Sequence, residues 1–221
     1  MKLKESTVLV AGVGGLGSAA AIYLTAAGVG KLRIVDHEEI ELSNLNRQIL
    51  YSTEDIDRPK VSVASEKLKA INPNVEIEAV KEKITEANIH DLLEDVDVVV
   101  DGQDNFKTRF IINKACIEDF KPFVHGAVYA FEGRLMTIVP GKGPCLRCLI
   151  PRDPKQVTPV PVFGPLPGIV GVFEALEAIK LLTGIGETAL GKLLIIDGET
   201  LSFYKVDIKR DPNCPICGDM K

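Results

Sequence analysis

The chain has no surplus of basic charge, no long uninterrupted apolar run and few histidines, and each shortage removes a class of function. Lys and Arg total 26 against 31 Asp and Glu, a net charge of -5 with a pI near 5.3. No basic footprint for a nucleic-acid backbone follows from that balance, so nucleic acid is not expected as a partner. The most apolar stretch, LPGIVGVFEALEAIKLLTGIG, is interrupted by Glu174, Glu177 and Lys180 and cannot be a bilayer span. MKLKES runs straight into the strand TVLVAG and has neither the n-region nor the h-region of a signal peptide, so a cytoplasmic location is expected. His37, His90 and His125 share no metal-ligand spacing, and HExxH, G-x-S-x-G and a Walker lysine are all missing. Internal repeats and low-complexity tracts are also missing.

What remains is a chain of 221 residues with 46% apolar and 26% charged residues, the composition of one ordinary globular domain. From Thr7 to about Val128, short β-branched runs (TVLVAG, KLRIVD, VEIEAV, VDVVVDG, PFVHGAV) alternate with helical stretches (LGSAAAIYLTAAG, PKVSVASEKLKAIN, FKTRFIINKACIEDF). Strands that are apolar throughout, such as Val98 to Val100, belong in a sheet covered on both faces. The fold class is therefore α/β, a Rossmann-like, doubly wound, mainly parallel sheet. Past Val128, RLMTIVPG and LLIIDGETLSFYKVDI predict antiparallel strands turning at Asp197-Gly198, with one amphipathic helix over GIVGVFEALEAIKLLTG. The proline-rich residues 151–168 read as a crossover loop over the site.

Gly12, Gly14, Gly15 and Gly17 of GVGGLG lie between the first strand and helix, where a chain without side chains can approach phosphate at a positive helix end. Asp36 ends the second strand, placed to accept ribose hydroxyls. That pair alone also suits NAD. NLNRQ, residues 44–48, argues otherwise, since an arginine at the carboxyl edge of the sheet suits a triphosphate whose charge must be held and shifted. Lys60 at the positive end of the next helix is unfavourable unless an anion sits beside it; the plainer reading is a solvated lysine. Asp101 and Asp104 end the fourth strand, where a carboxylate can hold magnesium, although Asp104 could equally cap the following helix. Cys145, Cys148, Cys214 and Cys217 form two C-x-x-C knuckles, a full tetrahedral set for a structural zinc ion. A redox role is disfavoured because neither pair opens a helix after a thioredoxin-like strand. Cys116 reads as a core residue on an apolar helical face, and His125 as a core residue near the site.

GVGGLG, DHEEIELSNLNRQ, RPKV, VVVDGQDNFKTR, FEGRL, GKGPCLRC, LPGIVG, LEAIKLL and CPIC, in this order from about Thr7 to Cys217, resemble the adenylating enzymes of the MoeB, ThiF and HesA group, relatives of ubiquitin-activating enzymes. The resemblance implies a single adenylating domain over residues 1–221, with a nucleotide-binding half (1–128) and a carrier-binding half (129–221). It implies binding of ATP with Mg2+, a structural Zn2+, and activation of the C-terminal glycine of a Gly-Gly-tailed, ubiquitin-fold sulfur carrier as an acyl-adenylate. On the matching motifs, Gly12 to Gly17 face the nucleotide, Asp36 holds the ribose, Asn44, Arg47, Gln48 and Lys60 contact the phosphates, and Asp104 binds magnesium. A homodimer is implied in the same way.

Three departures from the family pattern shape the expectation. Family members begin with a further helical segment whose arginine reaches the neighbouring subunit's nucleotide, whereas the first strand here starts at residue 7; that arginine is then dispensable, supplied by another chain, or its loss weakens adenylation. Residues 151–168 hold no cysteine, so the reaction would stop at the adenylate and a separate sulfur donor would act. Gln103 stands where the family usually has threonine. Two rival functions stay open at this point, an NAD-dependent oxidoreductase and a non-catalytic binding member of the family.

Overall fold

The computed structural model describes residues 2–154 and 161–220. Eight strands form one sheet in the order β3-β2-β1-β4-β5-β6-β7-β8. β1 (Thr7–Ala11), β2 (Lys31–Val35), β3 (Glu76–Val80), β4 (Val98–Asp101) and β5 (Phe123–Tyr129) are mutually parallel. β6 (Glu132–Ile138), β7 (Lys192–Asp197) and β8 (Ser202–Asp207) extend them antiparallel. Every residue of β4 is buried, as its unbroken apolar run requires. By contrast, β8 lies at the edge and is largely exposed.

Helices α1 (Gly15–Ala27), α2 (Lys60–Ile71) and α6 (Pro165–Thr183) cover one face of the sheet, with Leu24, Val63, Leu68 and Ala178 in a common core. The other face carries α3 (Ile89–Leu92), α4 (Phe106–Glu118), α5 (Leu146–Leu149) and the four zinc-type cysteines, packed around Phe123 and Met136. α1 and α6 touch closely because Gly171 leaves no side chain between them: a Cβ there would collide with the carbonyl oxygen of Leu16. Overpacking of that kind costs about 1–3 kcal/mol.

Two boundaries differ from the sequence reading. α6 begins at Pro165, three residues before the expected Gly168, because proline fits the first turn of a helix, where its missing N–H is not needed. The last part of the expected crossover loop is thus helical, and residues 155–160 of it lie outside the described residues. The β7–β8 connection spans Gly198 to Leu201 rather than a two-residue turn, with Asp197 accepting the amides of Glu199 and Thr200. Among the described residues no helix is long and apolar enough to cross a membrane.

Candidate active site

The sheet reverses its winding between β1 and β4, and in such folds the crevice outside the carboxyl ends of those strands is the ligand site. The two connections that follow them meet there. Gly12, at φ 96, sits so close that a Cβ would lie 2.8 Å from the oxygen of Gly102 and 2.9 Å from Gln103 Nε2. Glycine is the residue that tolerates both the positive φ and the contact. Gly17 packs back onto Gly12, which turns the chain sharply into α1, and Gly14 caps that helix without a side chain. The amino end of α1 therefore turns its free amides and positive dipole end towards the crevice.

Asp36 closes the glycine loop from the side. Its Oδ2 accepts the Val13 amide at 2.9 Å and its Oδ1 the Glu38 amide at 3.0 Å. The Tyr51 hydroxyl donates to the carbonyl of Val13 at 2.9 Å and lies 3.4 Å from that of Lys60, tying α2 to the loop. The NLNRQ segment flanks the same loop. Gln48 is buried, with its Nε2 3.5 Å from where a Gly14 Cβ would stand and its Oε1 without a hydrogen-bond partner among the described residues. Arg47 runs past Gly15, its Cγ 3.5 Å from where a Cβ there would stand. Its guanidinium is held by the carbonyl of Ser43 and by Asn46 Oδ1, both at 2.9 Å. Asn44 is buried and accepts the Glu41 amide at 3.1 Å, a reciprocal cap that sets the shape of the segment.

Lys60 is not the solvated lysine of the plainer reading. It is the first residue of α2 and only 2% exposed, and its ammonium meets Glu38 Oε2 at 2.5 Å. Partial burial pushes the Glu38 carboxyl up, but the hydrogen bond and charge of Lys60 win and hold it below its ordinary value. An anion does sit beside the lysine, as the helix end demands, and in this structure it is a carboxylate of the chain itself.

On the far side of the crevice Asp101 and Asp104 part company. Asp101 is fully buried, hydrogen-bonded to His125 Nδ1 at 2.6 Å and ion-paired with the Arg109 guanidinium at 3.2 Å, and its Oδ1 accepts the Gln103 amide. Burial lowers the pKa of His125 in spite of Asp101, which makes it the core residue expected. Asp104 is exposed and does not cap α4; Asn105 does, accepting the Thr108 amide at 2.9 Å. Freed from capping, Asp104 offers one carboxylate at the ligand edge, which fits magnesium held by one or two carboxylates together with phosphates. Gln103 turns its amide inward to the carbonyl of Ala11 at 2.9 Å, so it braces the two loops.

Arg109 was missed by the sequence reading, although its spacing after Asp104 on a helix could have flagged it. Its NH2 group donates to the carbonyls of Gln103, at 2.6 Å, and Gly126, at 3.0 Å, so one buried guanidinium fixes the Asp104 loop against β5. Arg109→Leu is expected to cost about 3–5 kcal/mol, because it strands the buried charge of Asp101; a denaturant midpoint like that of the wild type would show the pair is dispensable.

Glu174 on α6 reaches the same cluster and is fully buried. Its Cδ lies 2.5 Å from where a Gly126 Cβ would stand, so a side chain there would have to displace the Glu174 carboxyl. Burial raises its carboxyl well above the ordinary 4.5, the charge of Asp101 adds to this, and Arg109 and nearby amides only partly offset it. A folded pKa raised in this way gives stability below the ordinary value that is lost as pH rises through the folded one. Glu174→Gln stays neutral throughout. Its melting temperature should match wild type near about pH 4 and exceed it increasingly towards higher pH, whereas a difference that does not change with pH would show that folding leaves the Glu174 carboxyl at its ordinary value.

The four knuckle cysteines converge across the zinc-side face. Their sulfurs all lie within 4.8 Å of one another, with Cys145 and Cys214 3.7 Å apart and Cys148 and Cys217 3.4 Å apart. Zn–S bonds of about 2.3 Å in a tetrahedron put sulfurs roughly 3.8 Å apart, so the donor set and its spacing fit zinc with no position left open. Cys145 caps the four-residue α5, but that helix follows a loop after antiparallel β6 rather than a thioredoxin-like strand, as expected, and Cys145 lies 3.7 Å from Cys214 of the other knuckle. Cys116 is buried in the α4 core, where burial raises its thiol pKa and leaves it inert.

Known proteins resemble this chain in sequence and in fold. Residues 1–216 match the ThiF family. The chain belongs to that family. It is 43% identical to a sulfur carrier protein adenylyltransferase of Thermus thermophilus, covering 99% of this chain and 84% of the relative. It is also 43% identical to the SAMP-activating enzyme E1 of Haloferax volcanii, covering 99% and 82%. The fold is that of Escherichia coli MccB crystallised with ATP, with a TM-score of 0.88 at 23% identity over 99% of this chain and 68% of that one. ThiF-family membership agrees with the resemblance read from the motifs, and the mixed eight-stranded sheet agrees with the fold class.

Proposed function

We propose that the protein is an adenylyltransferase that uses ATP to activate the C-terminal glycine carboxylate of a ubiquitin-fold sulfur carrier. The observation that carries this reading is convergence: Arg47 and Gln48 border the glycine loop from one side, Tyr51 ties the start of α2 at Lys60 to it, and Gly102 and Gln103 ahead of Asp104 close on it from the other. Two cations at a phosphate-binding loop suit a nucleotide triphosphate better than the pyrophosphate of a hydride carrier. Relatives at 43% identity named for carrier activation support the same choice.

The reaction needs little acid–base chemistry. A C-terminal carboxylate is already ionised near neutral pH, so no general base is required. Its oxygen forms a bond to the α-phosphorus of ATP as the bond from that phosphorus to the bridging oxygen breaks, and pyrophosphate leaves. The obstacle is repulsion between anions. The α1 amides, Arg47 and Lys60 offset it and stabilise charge on the leaving group, and the loops hold the reacting atoms in line. Asp36 would then hold the ribose, with Asn44 shaping the phosphate-binding segment. Asp104 would hold magnesium, which supplies charge neutralisation at the phosphates when bound.

The carrier's tail would pass beneath the segment that includes residues 151–168, with the carrier body against the antiparallel strands. With no cysteine in that segment the product is the acyl-adenylate, and a separate sulfur donor completes thiocarboxylate formation. Zinc serves as a structural clamp, and the working unit is a homodimer. Incubation with ATP, magnesium and a Gly-Gly-tailed carrier should add one AMP to the carrier, visible in its intact mass and lost when the terminal glycine is removed. Carriers that all stay unmodified would contradict the proposal.

A further inference from the structure

We propose that the stacked pair Phe131 and Phe163 is a latch that seats the carrier's tail, so that both are positioning residues for the carrier-dependent step; this rests on the adenylation reading above. The rings lie 3.7 Å apart and within 20° of parallel. They are also 39% and 50% exposed, so the contact is not part of the core. Exposed aromatic surface is retained here at a point where two chain segments meet.

Phe131 lies in the tight turn between β5 and β6, and Phe163 in the short stretch that leads into α6. Two backbone hydrogen bonds, which together make one isolated bridge, accompany the stack. The Ala130 amide donates to the carbonyl of Pro161 at 2.7 Å, the Phe163 amide donates to that of Ala130 at 3.4 Å, and Ala130 pairs with Val162 as an isolated parallel bridge. The turn is built at a cost. Ala130 holds φ 49, a left-handed conformation normally left to glycine or asparagine, and such strain persists only where the surroundings enforce it. The Gly198 amide secures the other side through the carbonyl of Phe131 at 2.7 Å.

The stretch held in this way leads directly to the active site. Gly164, the next residue, packs on the carbonyl of Asn46 so tightly that a Cβ would collide with it, and Pro167 sits 2.9 Å from where a Gly15 Cβ would stand. Residues 161–167 therefore form a strap from the β5–β6 turn to the NLNRQ segment and the glycine loop. With the carrier placed against the antiparallel strands as proposed, its extended tail would run along this strap to reach the crevice. The guanidinium of Arg47 keeps its own contacts to Ser43 and Asn46, so loosening the strap at its far end leaves the phosphate side in place.

The test uses the full chain with Phe131→Ala, Phe163→Ala, the double variant and Phe163→Tyr, which retains a ring. The carrier KM in pyrophosphate exchange should rise about five- to tenfold in either alanine variant, as the worth of one aromatic pair sets. The double variant should be no worse than either single one, and Phe163→Tyr should stay within about twofold of wild type. ATP affinity, read by calorimetry, should be unchanged in all four. Hydrogen exchange at the amides of Ala130 and Phe163 should quicken in Phe163→Ala. An unchanged carrier KM beside an active wild type overturns the latch alone, as do additive losses or unaltered exchange at Ala130. A wild type without carrier-dependent turnover overturns the adenylation reading, and with it the role of the latch.

Discussion

Lys60→Ala is expected to lower carrier-dependent activation by about 10²–10³-fold, the usual effect of deleting one preorganised charge that stabilises a leaving group. The structure adds a reason for the loss to be severe. Lys60 is buried against Glu38, so on the proposed phosphate site removing the ammonium would leave an unpaired carboxylate beside the substrate's charge. The double variant Lys60→Ala with Glu38→Gln should therefore recover part of the activity by deleting that repulsion. Steady-state rates at saturating ATP with varied carrier decide the matter: a Lys60→Ala enzyme within about threefold of wild type would remove the lysine from the mechanism. If Lys60 contacts the phosphates as proposed, they would displace Glu38 from it when ATP binds. Glu38→Gln alone should then bind ATP more tightly than wild type.

Removal of zinc is the second large effect. The site joins the segment after β6 to the C-terminal segment, and Cys145, Cys214 and Cys217 are buried within the core beneath the sheet. Four clustered thiols without a cation have only one another for partners, and metal binding at such a site is coupled directly to folding. Chelation, or Cys217→Ser, should release one zinc per chain and lower the melting temperature by about 10–20 °C, the size expected for a loss of about 5 kcal/mol in a domain this large. ATP binding measured below the new transition should survive, since the nucleotide crevice lies at the carboxyl edge and is assembled from β1, β2 and β4. A chain that holds no zinc after purification in its presence, or melts identically without it, would show that the four cysteines do not form a metal site.

The sequence was most legible where one residue type has one physical use. Runs that are apolar almost throughout can be buried on both faces, so β1 and β4 were readable, as was the parallel class of the sheet. Gly12 was readable because a strand, a tight turn and a helix follow in order, and Cys145, Cys148, Cys214 and Cys217 because paired knuckles have few other meanings. Less legible were residues whose role depends on a partner distant in sequence. Asp104 and Asn105 compete for one cap, and only the backbone conformation assigns it to Asn105. Arg109, Glu174 and His125 come together on Asp101 and Gly126 from three elements, a convergence that no local pattern displays. Glu38 looked like one of several acids in DHEEIE until the fold put it on Lys60. The Phe131–Phe163 stack joins a turn to the start of a helix and leaves no periodic trace at all.

The central claim is that the crevice between the β1 and β4 loops activates a carrier's carboxylate with ATP. It is tested most directly by exchange of labelled pyrophosphate into ATP with magnesium, with and without a Gly-Gly-tailed carrier, beside an Asp104→Ala control. The account predicts exchange that requires the carrier and disappears in the control. ATP binding without exchange for any such carrier, or exchange that persists undiminished in Asp104→Ala, would contradict it.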